Sequence, residues 1–136
     1  MKSVREIIGA MEEERQRQRL RMVDLSEETG YNENAWGFVL KSGRIRIEPL
    51  MDFLDALGME LKVMEEPIRA SDPERMIDII EAVREVRGMT ALALSRKAGM
   101  NERSWTHAKC RRSADPETLM ACCRALGISA EVKRKA

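Results

Sequence analysis

The chain has 136 residues, of which 43% are hydrophobic and 35% are charged, and it carries a formal net charge of +1 and three cysteines. No apolar run approaches the length of a membrane span, the first residues lack the apolar segment of a signal peptide, and an odd cysteine count gives no disulfide framework. We therefore expect a cytoplasmic protein with no membrane partner.

Cap residues and apolar spacing predict the elements in chain order. The first half predicts four helices and a strand, over residues 4–18, 20–29, 33–42, 49–57 and 59–63. The second half predicts the same order, over residues 73–86, 90–98, 102–111, 116–126 and 128–132. Two Asp-Pro pairs, Asp72-Pro73 and Asp115-Pro116, are expected to begin helices as N-cap and first helical residue.

The second half repeats the first at a spacing of 69 residues. Residues 20–63 align with 89–132 without a gap, and 13 of the 44 positions are identical, among them Trp36 with Trp105. A position that is apolar in both copies is expected to lie in the core, so both tryptophans are predicted to be buried. Before residue 20 the apolar positions match best with a shift, which predicts about three extra residues within 13–19.

We expect two small domains, residues 1–65 and 73–136, here named repeat 1 and repeat 2. Residues 66–72 contain Pro67 and no periodicity, and they are expected to form the linker. The expected fold class is all-α, a tandem pair of five-element helical domains that each end in a short β-strand. Units of this size bury a limited core and gain from packing on each other.

The two halves carry opposite charge. Residues 1–66 hold 10 Lys and Arg against 14 Asp and Glu, whereas residues 67–136 hold 14 against 9. This asymmetry hints that only repeat 2 faces a polyanion. The alternative interpretation is drift on solvated surfaces.

The informative segment of each repeat is a helix, a Gly-apolar-Asn turn and a second helix. In repeat 2, Leu94 and Ala98 are expected to face the core from one helix, and Trp105 and Ala108 from the next. Gly99 permits the tight turn between them. This is the helix-turn-helix arrangement, in which the second helix enters the major groove of DNA.

Here the sequence resembles the lambda-repressor-like, xenobiotic-response-element type of helix-turn-helix regulator, in two tandem copies. Residues 88–90 match the family's Gly-Leu-Thr entry, residues 94–101 resemble its turn, and residues 116–128 resemble its last helix and strand. Repeat 1 departs from the entry pattern with Arg-Leu-Arg at 19–21, and neither copy has the usual Glu-x-Gly after the third helix. The resemblance implies a bacterial or phage transcriptional regulator whose partner is double-stranded DNA.

The exposed face of the reading helix in repeat 2 holds the candidate base contacts. Arg103 suits a bidentate contact to guanine, Thr106 a phosphate or a thymine methyl, and His107 a base or a phosphate. Polar and basic neighbours are candidates for holding the DNA backbone: Thr90, Lys97, Asn101, Lys109, Arg111 and Arg112. The alternative is that these side chains are only solvated.

Repeat 1 has Asn34, Gly37 and Phe38 at the equivalent positions. Asn34 could read adenine, but a glycine within a helix weakens it by up to about 1 kcal/mol relative to alanine. An exposed Phe38 is unusual for reading bases, and we interpret it as a protein contact between copies or between chains. The basic candidates here are Arg21, Lys41 and Arg44, with glutamates nearby that oppose them.

His107 and the three cysteines are the candidate ligands for a zinc site. Their spacing is unusual for zinc, and Cys122 and Cys123 align with apolar residues of repeat 1, so they are expected in the core. Cys110 is expected to be exposed. No nucleophile–base pair or glycine-rich phosphate loop is present in the sequence. We expect no metal, no cofactor and no enzymatic activity.

The favoured function is therefore a sequence-specific DNA-binding transcriptional regulator that reads the major groove with the third helix of repeat 2. The alternative is a protein-interaction module, or an antagonist of another regulator, built on a degenerate duplicate. The equivalent segments 59–64 and 128–133 each leave an open strand edge. We expect them to pair antiparallel within one chain as a pseudo-dimer; pairing between chains, in a homodimer, is the alternative.

Overall fold

The computed structural model describes residues 3–135, and the elements within that range follow the order the repeat predicts, with one additional strand. The eight helices are α1 Val4–Arg17, α2 Met22–Glu28, α3 Ala35–Ser42, α4 Ile47–Ala56, α5 Arg75–Val86, α6 Ala91–Lys97, α7 Ser104–Arg111 and α8 Pro116–Leu126. The three strands are β1 Met59–Val63, β2 Glu66–Ile68 and β3 Ala130–Arg134. None of these helices has the length and apolar character needed to cross a bilayer.

The all-α fold class is wrong, because the strands form a three-stranded antiparallel sheet in the order β2-β1-β3. Met64 and Glu65 both have positive φ, 52° and 67°, which is the backbone of a tight type I′ hairpin turn. That turn folds residues 66–68 back onto β1. Part of the expected linker is therefore a strand, and Ile68 is buried.

The equivalent segments of the two repeats pair with each other, as predicted. β1 and β3 are antiparallel, with Leu61 opposite Val132 and Val63 opposite Ala130. The two pairs are equivalent under the repeat: Ala130 is the counterpart of Leu61, and Val63 is the counterpart of Val132. Lys62 lies opposite Glu131, its own equivalent. The register therefore has a pseudo-two-fold axis that passes between these two residues and relates repeat 1 to repeat 2.

The repeat extends through the first helices without a shift, so the prediction of three extra residues is wrong. α1 buries Ile7, Ile8 and Met11, and α5 buries residues 76, 77 and 80, each 69 positions later. A shift would align the isoleucines of α1 with isoleucines of α5, but the buried positions of the two helices match at the constant spacing of 69 residues. The physical constraint is the side-chain position on the helix, not the residue type.

One core serves both repeats. Its buried side chains come from every helix and from all three strands within residues 3–135. Trp36 and Trp105 are both fully buried, which confirms the prediction from the repeat. Cys122 and Cys123 are likewise buried on α8, and Cys110 is exposed on α7, as expected.

Candidate nucleic-acid interface

The joint between the second and third helices is built the same way in both repeats. The hydroxyl of Ser26 accepts the backbone N–H of Trp36 at 3.1 Å, and Ser95 accepts that of Trp105 at 3.0 Å. Both serines are fully buried. The turn glycines, Gly30 and its equivalent, have φ of 82° and 76°, a conformation that side chains rarely adopt. The reading helix is therefore held rigidly against the helix before it.

Ser26 and Ser95 are identical residues at equivalent positions of the two repeats. A buried serine inside a helix must find a hydrogen-bond partner, because an unpaired polar group there is costly. The partner is the first turn of the next helix, ten residues along the chain. The signal available in the sequence was that both repeats keep the same polar residue at a position surrounded by an apolar pattern.

Two of the predicted DNA contacts in repeat 2 already have hydrogen bonds within the fold. The carboxamide oxygen of Asn101 accepts the backbone N–H of Arg103 at 2.9 Å, and Thr90 caps α6 by accepting from Ala93 at 3.0 Å. The same turn recurs in repeat 1 between Asn32 and Asn34. Asn101 therefore shapes the start of the reading helix, and α7 itself begins at residue 104.

Five predicted contacts are exposed cations or polar groups on α6 and α7 or at their ends. Arg103, Thr106 and His107 are exposed on α7 or at its start, with Lys97 and Arg111 exposed at the ends of α6 and α7. Within residues 3–135, the three arginine and lysine side chains among them form no ion pair. Their charges are available to an anionic ligand.

Two other predicted contacts are engaged by carboxylates of α5. The Lys109 ammonium lies 3.0 Å from Glu81, and the Arg112 guanidinium lies 3.1 Å from Asp78. These pairs fasten the end of α7 to the first helix of the repeat. Both cations are thus partly neutralised, and a phosphate would have to compete with the carboxylates.

In repeat 1 one predicted contact is engaged by a carboxylate and three are exposed. Arg21 pairs with Asp24 at 2.9 Å. Asn34, Lys41 and Arg44 are exposed. Beside them Phe38, the equivalent of His107, has 68% of its surface exposed.

Each repeat has a groove between its reading helix and the helix that follows, and the two grooves differ in chemistry. The groove of repeat 2 has a volume of about 290 Å³ and is lined mainly by polar groups, including Ser104, His107 and Arg111. The groove of repeat 1 has a volume of about 390 Å³ and an apolar lining. Arg46 lies at the edge of both grooves, so they adjoin on one surface.

A carboxylate–arginine pair lies at the end of the first helix in both repeats. Arg15 donates to Glu12 and also to the backbone carbonyl of residue 20. Arg84 donates in the same way to Glu81 and to the carbonyl of residue 89. The hydrogen bond from Arg15 holds the pKa of Glu12 below its usual value. Burial opposes ionisation of Glu81, but Arg84 and Lys109 outweigh it and lower that pKa too.

The two tryptophans differ at this support. The indole N–H of Trp36 donates to Glu12 at 3.0 Å. The indole N–H of Trp105 is buried and has no hydrogen-bond partner among residues 3–135. Glu81, the carboxylate that corresponds to Glu12, is instead approached by Lys109 at 3.0 Å.

The end of β3 fastens repeat 2 to repeat 1. Arg134 donates to the buried Glu14 at 2.6 Å, and Lys135 donates to Asp55 at 2.7 Å. Arg17 also donates to Glu14, at 2.8 Å. Hydrogen bonds from Arg17 first, and then from Gln18 and Arg134, lower the pKa of Glu14 to about 2.

This cluster makes the stability sensitive to acid. The pKa of Glu14 falls from 4.5 to about 2 on folding, so its stabilisation is complete above pH 4.5 and is lost as the pH falls towards 2. We expect Glu14→Gln to be less stable than the native chain near neutral pH. Denaturant unfolding between about pH 6 and pH 2.5 should show the difference narrowing as the native chain loses stability. Two curves that stay parallel would contradict the assignment.

No arrangement for a metal is found among the described residues, where no three His, Cys, Asp or Glu side chains converge. Burial raises the pKa of both Cys122 and Cys123 to about 12, with the neighbouring thiol adding to the shift at Cys122. These thiols are therefore protonated at neutral pH, and thiols rather than thiolates make poor metal ligands.

No family model matches the chain, and no curated protein or solved structure matches it.

Proposed function

We propose that the chain is a sequence-specific DNA-binding transcriptional regulator that acts in the cytoplasm, with α7 of repeat 2 as its reading helix. The observation that carries the proposal is the exposed, unpaired Arg103 at the first turn of α7. Its backbone is fixed by Asn101, and the helix behind it is fixed by Ser95. Because the backbone of Arg103 is fixed, only its side chain has to be ordered when it meets a base edge.

The chemistry of contact follows from this placement. The Arg103 guanidinium offers two parallel N–H donors, which match O6 and N7 of guanine in the major groove. Thr106 and His107 lie one turn along the same helix and are exposed. Lys97 and Arg111 flank them and suit the phosphates on either side, which position the helix without reading sequence. This is the mode of the helix-turn-helix regulators that the sequence resembles.

Arg103→Ala is expected to weaken DNA binding by about 1–3 kcal/mol and to relax one position of the binding site. The matched control is Asn34→Ala, the equivalent position in repeat 1, which should cost less. Selection of random duplexes by the full chain supplies the site, and electrophoretic mobility shift then ranks the variants. A larger loss for the repeat 1 variant would contradict the proposal, because it would mean that α3 rather than α7 reads the bases.

A second candidate, a protein-interaction module, is favoured by the apolar groove and the exposed Phe38 of repeat 1. Salt discriminates the two candidates. A protein with several phosphate contacts should lose orders of magnitude in DNA affinity between roughly 50 and 200 mM salt. A chain that shows no DNA affinity at the lower salt concentration would favour the protein-interaction module.

A further inference from the structure

The groove of repeat 1 has the features of a docking site rather than of a solvated surface. Seven side chains form its apolar lining: Tyr31, Ala35, Phe38, Val39, Ile45, Pro49 and Phe53. Among them Phe38 has 68% of its surface exposed. An exposed aromatic side chain in an apolar groove offers a ligand a continuous apolar surface to cover.

The lining is held rigidly. Tyr31 donates its hydroxyl to Asp52 at 2.5 Å, and its ring contacts Phe53 with centroids 5.6 Å apart. Phe53 packs in turn against Trp36, at 5.0 Å between ring centroids. Burial and the bond to Asp52 raise the pKa of Tyr31 to about 12, so the phenol stays neutral. A pre-formed groove loses little entropy when it binds a ligand.

The charge at the edge of the groove identifies the occupant. Arg44 and Arg46 line its rim, and both are exposed. Asp52 and Glu48 lie close enough to Tyr31 to raise its pKa, but neither carboxylate lines the groove, and neither arginine forms an ion pair with another residue of 3–135. An apolar floor with a cationic rim is complementary to an apolar side chain flanked by acidic residues.

The equivalent groove of repeat 2 keeps arginines in its lining but has polar residues at three of the matching positions. There, His107 replaces Phe38, Ser113 replaces Arg44 and Thr118 replaces Pro49. Two copies of one fold thus present opposite chemistries at the same site. Because Arg46 borders both grooves, a molecule seated in one reaches the edge of the other.

We propose that the groove of repeat 1 binds an acidic peptide segment with a bulky apolar side chain, and that this binding opposes DNA binding by repeat 2. The apolar side chain enters the hollow beside Phe38, and the carboxylates pair with Arg44 and Arg46. The first half of the proposal is independent of the proposed function. The second half rests on it, because it requires DNA on α7.

The experiment uses random 12-residue peptides displayed on phage and selected against the full chain, with Phe38→Ser as the counter-target. Enriched peptides should carry Asp or Glu close to Trp, Phe, Leu or Met. The best peptide is then synthesised with a fluorophore, and its affinity is measured by anisotropy. Enrichment of peptides without acidic residues, or of none above the counter-target, would overturn the proposal.

Two groove variants and one control test the assigned contacts. Phe38→Ser should weaken the peptide at least tenfold, and Arg44→Ser, which installs the residue of repeat 2, at least threefold. Val86→Ser, at an apolar residue that is 88% exposed on α5, should leave the affinity unchanged. Equal affinity for all three variants and the native chain would refute the assignment. Circular dichroism checks that each variant is folded.

Other occupants give different results. A native dimer that dissociates on Phe38→Ser in sedimentation would make a second copy the occupant and overturn the peptide. A loss of DNA affinity in Phe38→Ser that is absent in Val86→Ser would make the groove a DNA contact and overturn the peptide.

Saturating peptide should weaken DNA binding at least threefold, because the two ligands meet at Arg46. DNA should then weaken peptide binding by the same factor, since coupling between two ligands is reciprocal. Unchanged DNA affinity would overturn the antagonism, whereas peptide binding by a chain without DNA affinity would refute only the DNA function.

Discussion

Replacing Trp36 or Trp105 with alanine is expected to cost about 3–5 kcal/mol in the free energy of unfolding, a large part of what holds a protein of this size together. Both side chains are fully buried where the third helix of each repeat meets the core. Truncation leaves a cavity that the rigid serine-bonded joint cannot close. Denaturant unfolding at fixed pH measures the loss, and a cost below about 1 kcal/mol for either variant would contradict the packing role.

Conversion to phenylalanine separates the two sites. Trp36→Phe removes the N–H that donates to Glu12, and a hydrogen bond to a charged group contributes about 1.5–3 kcal/mol. Trp105→Phe removes an N–H with no partner among residues 3–135, so it should lose only packing. We expect the variant of repeat 1 to be the less stable by roughly 1 kcal/mol or more. Equal losses would mean that the two indole groups are hydrogen-bonded alike.

The parts of the fold that depend on local signals were predictable. The bounds of α8, from Pro116 to Leu126, and of β1 are those expected. Proline at the first helical position and glycine beyond the last are features of the chain itself. The same signal was wrong at Asp72-Pro73, because α5 begins two residues later, at Arg75. The burial of both tryptophans followed from the repeat, since a large residue retained in two copies has the same surroundings in each.

The third strand was missed because its cause is not local composition. β2 has three residues and includes Pro67, which reads as a linker. It forms because Met64 and Glu65 adopt positive φ, a conformation that sequence rules assign to Gly, Asn or Asp. The sheet as a whole depends on two segments 69 residues apart, and its existence makes the fold mixed rather than all-α.

The candidate site was predictable only in its exposure. Helical periodicity placed Arg103, Thr106 and His107 on the open face of the reading helix, where the structure has them. It could not show that Lys109 and Arg112 are paired, because their carboxylate partners come from α5, roughly a helix-turn-helix unit earlier in the chain. The sequence also could not predict that the two grooves adjoin, since this depends on how the two repeats pack.

Lys62→Pro is expected to destabilise the chain by about 3 kcal/mol or more without changing its mass in solution. β1 is the central strand, and Lys62 lies opposite Glu131 of β3. Met64 donates its backbone N–H to Ser129, so by the alternation of an antiparallel pair the N–H of Lys62 also faces β3. Proline there removes a backbone donor and places its ring where a neighbouring strand lies, a position that sheets tolerate only at their edges.

Lys62→Ala is the matched control, since it loses the side chain and keeps the backbone N–H. The excess cost of proline over alanine then measures the strand pairing that joins the two repeats. Sedimentation velocity accompanies the unfolding curves. A monomer for all three chains, with proline the least stable, fits pairing within one chain. A native dimer that becomes a monomer only with proline would mean that β1 and β3 pair between chains, and that the pseudo-two-fold axis relates repeats of different molecules.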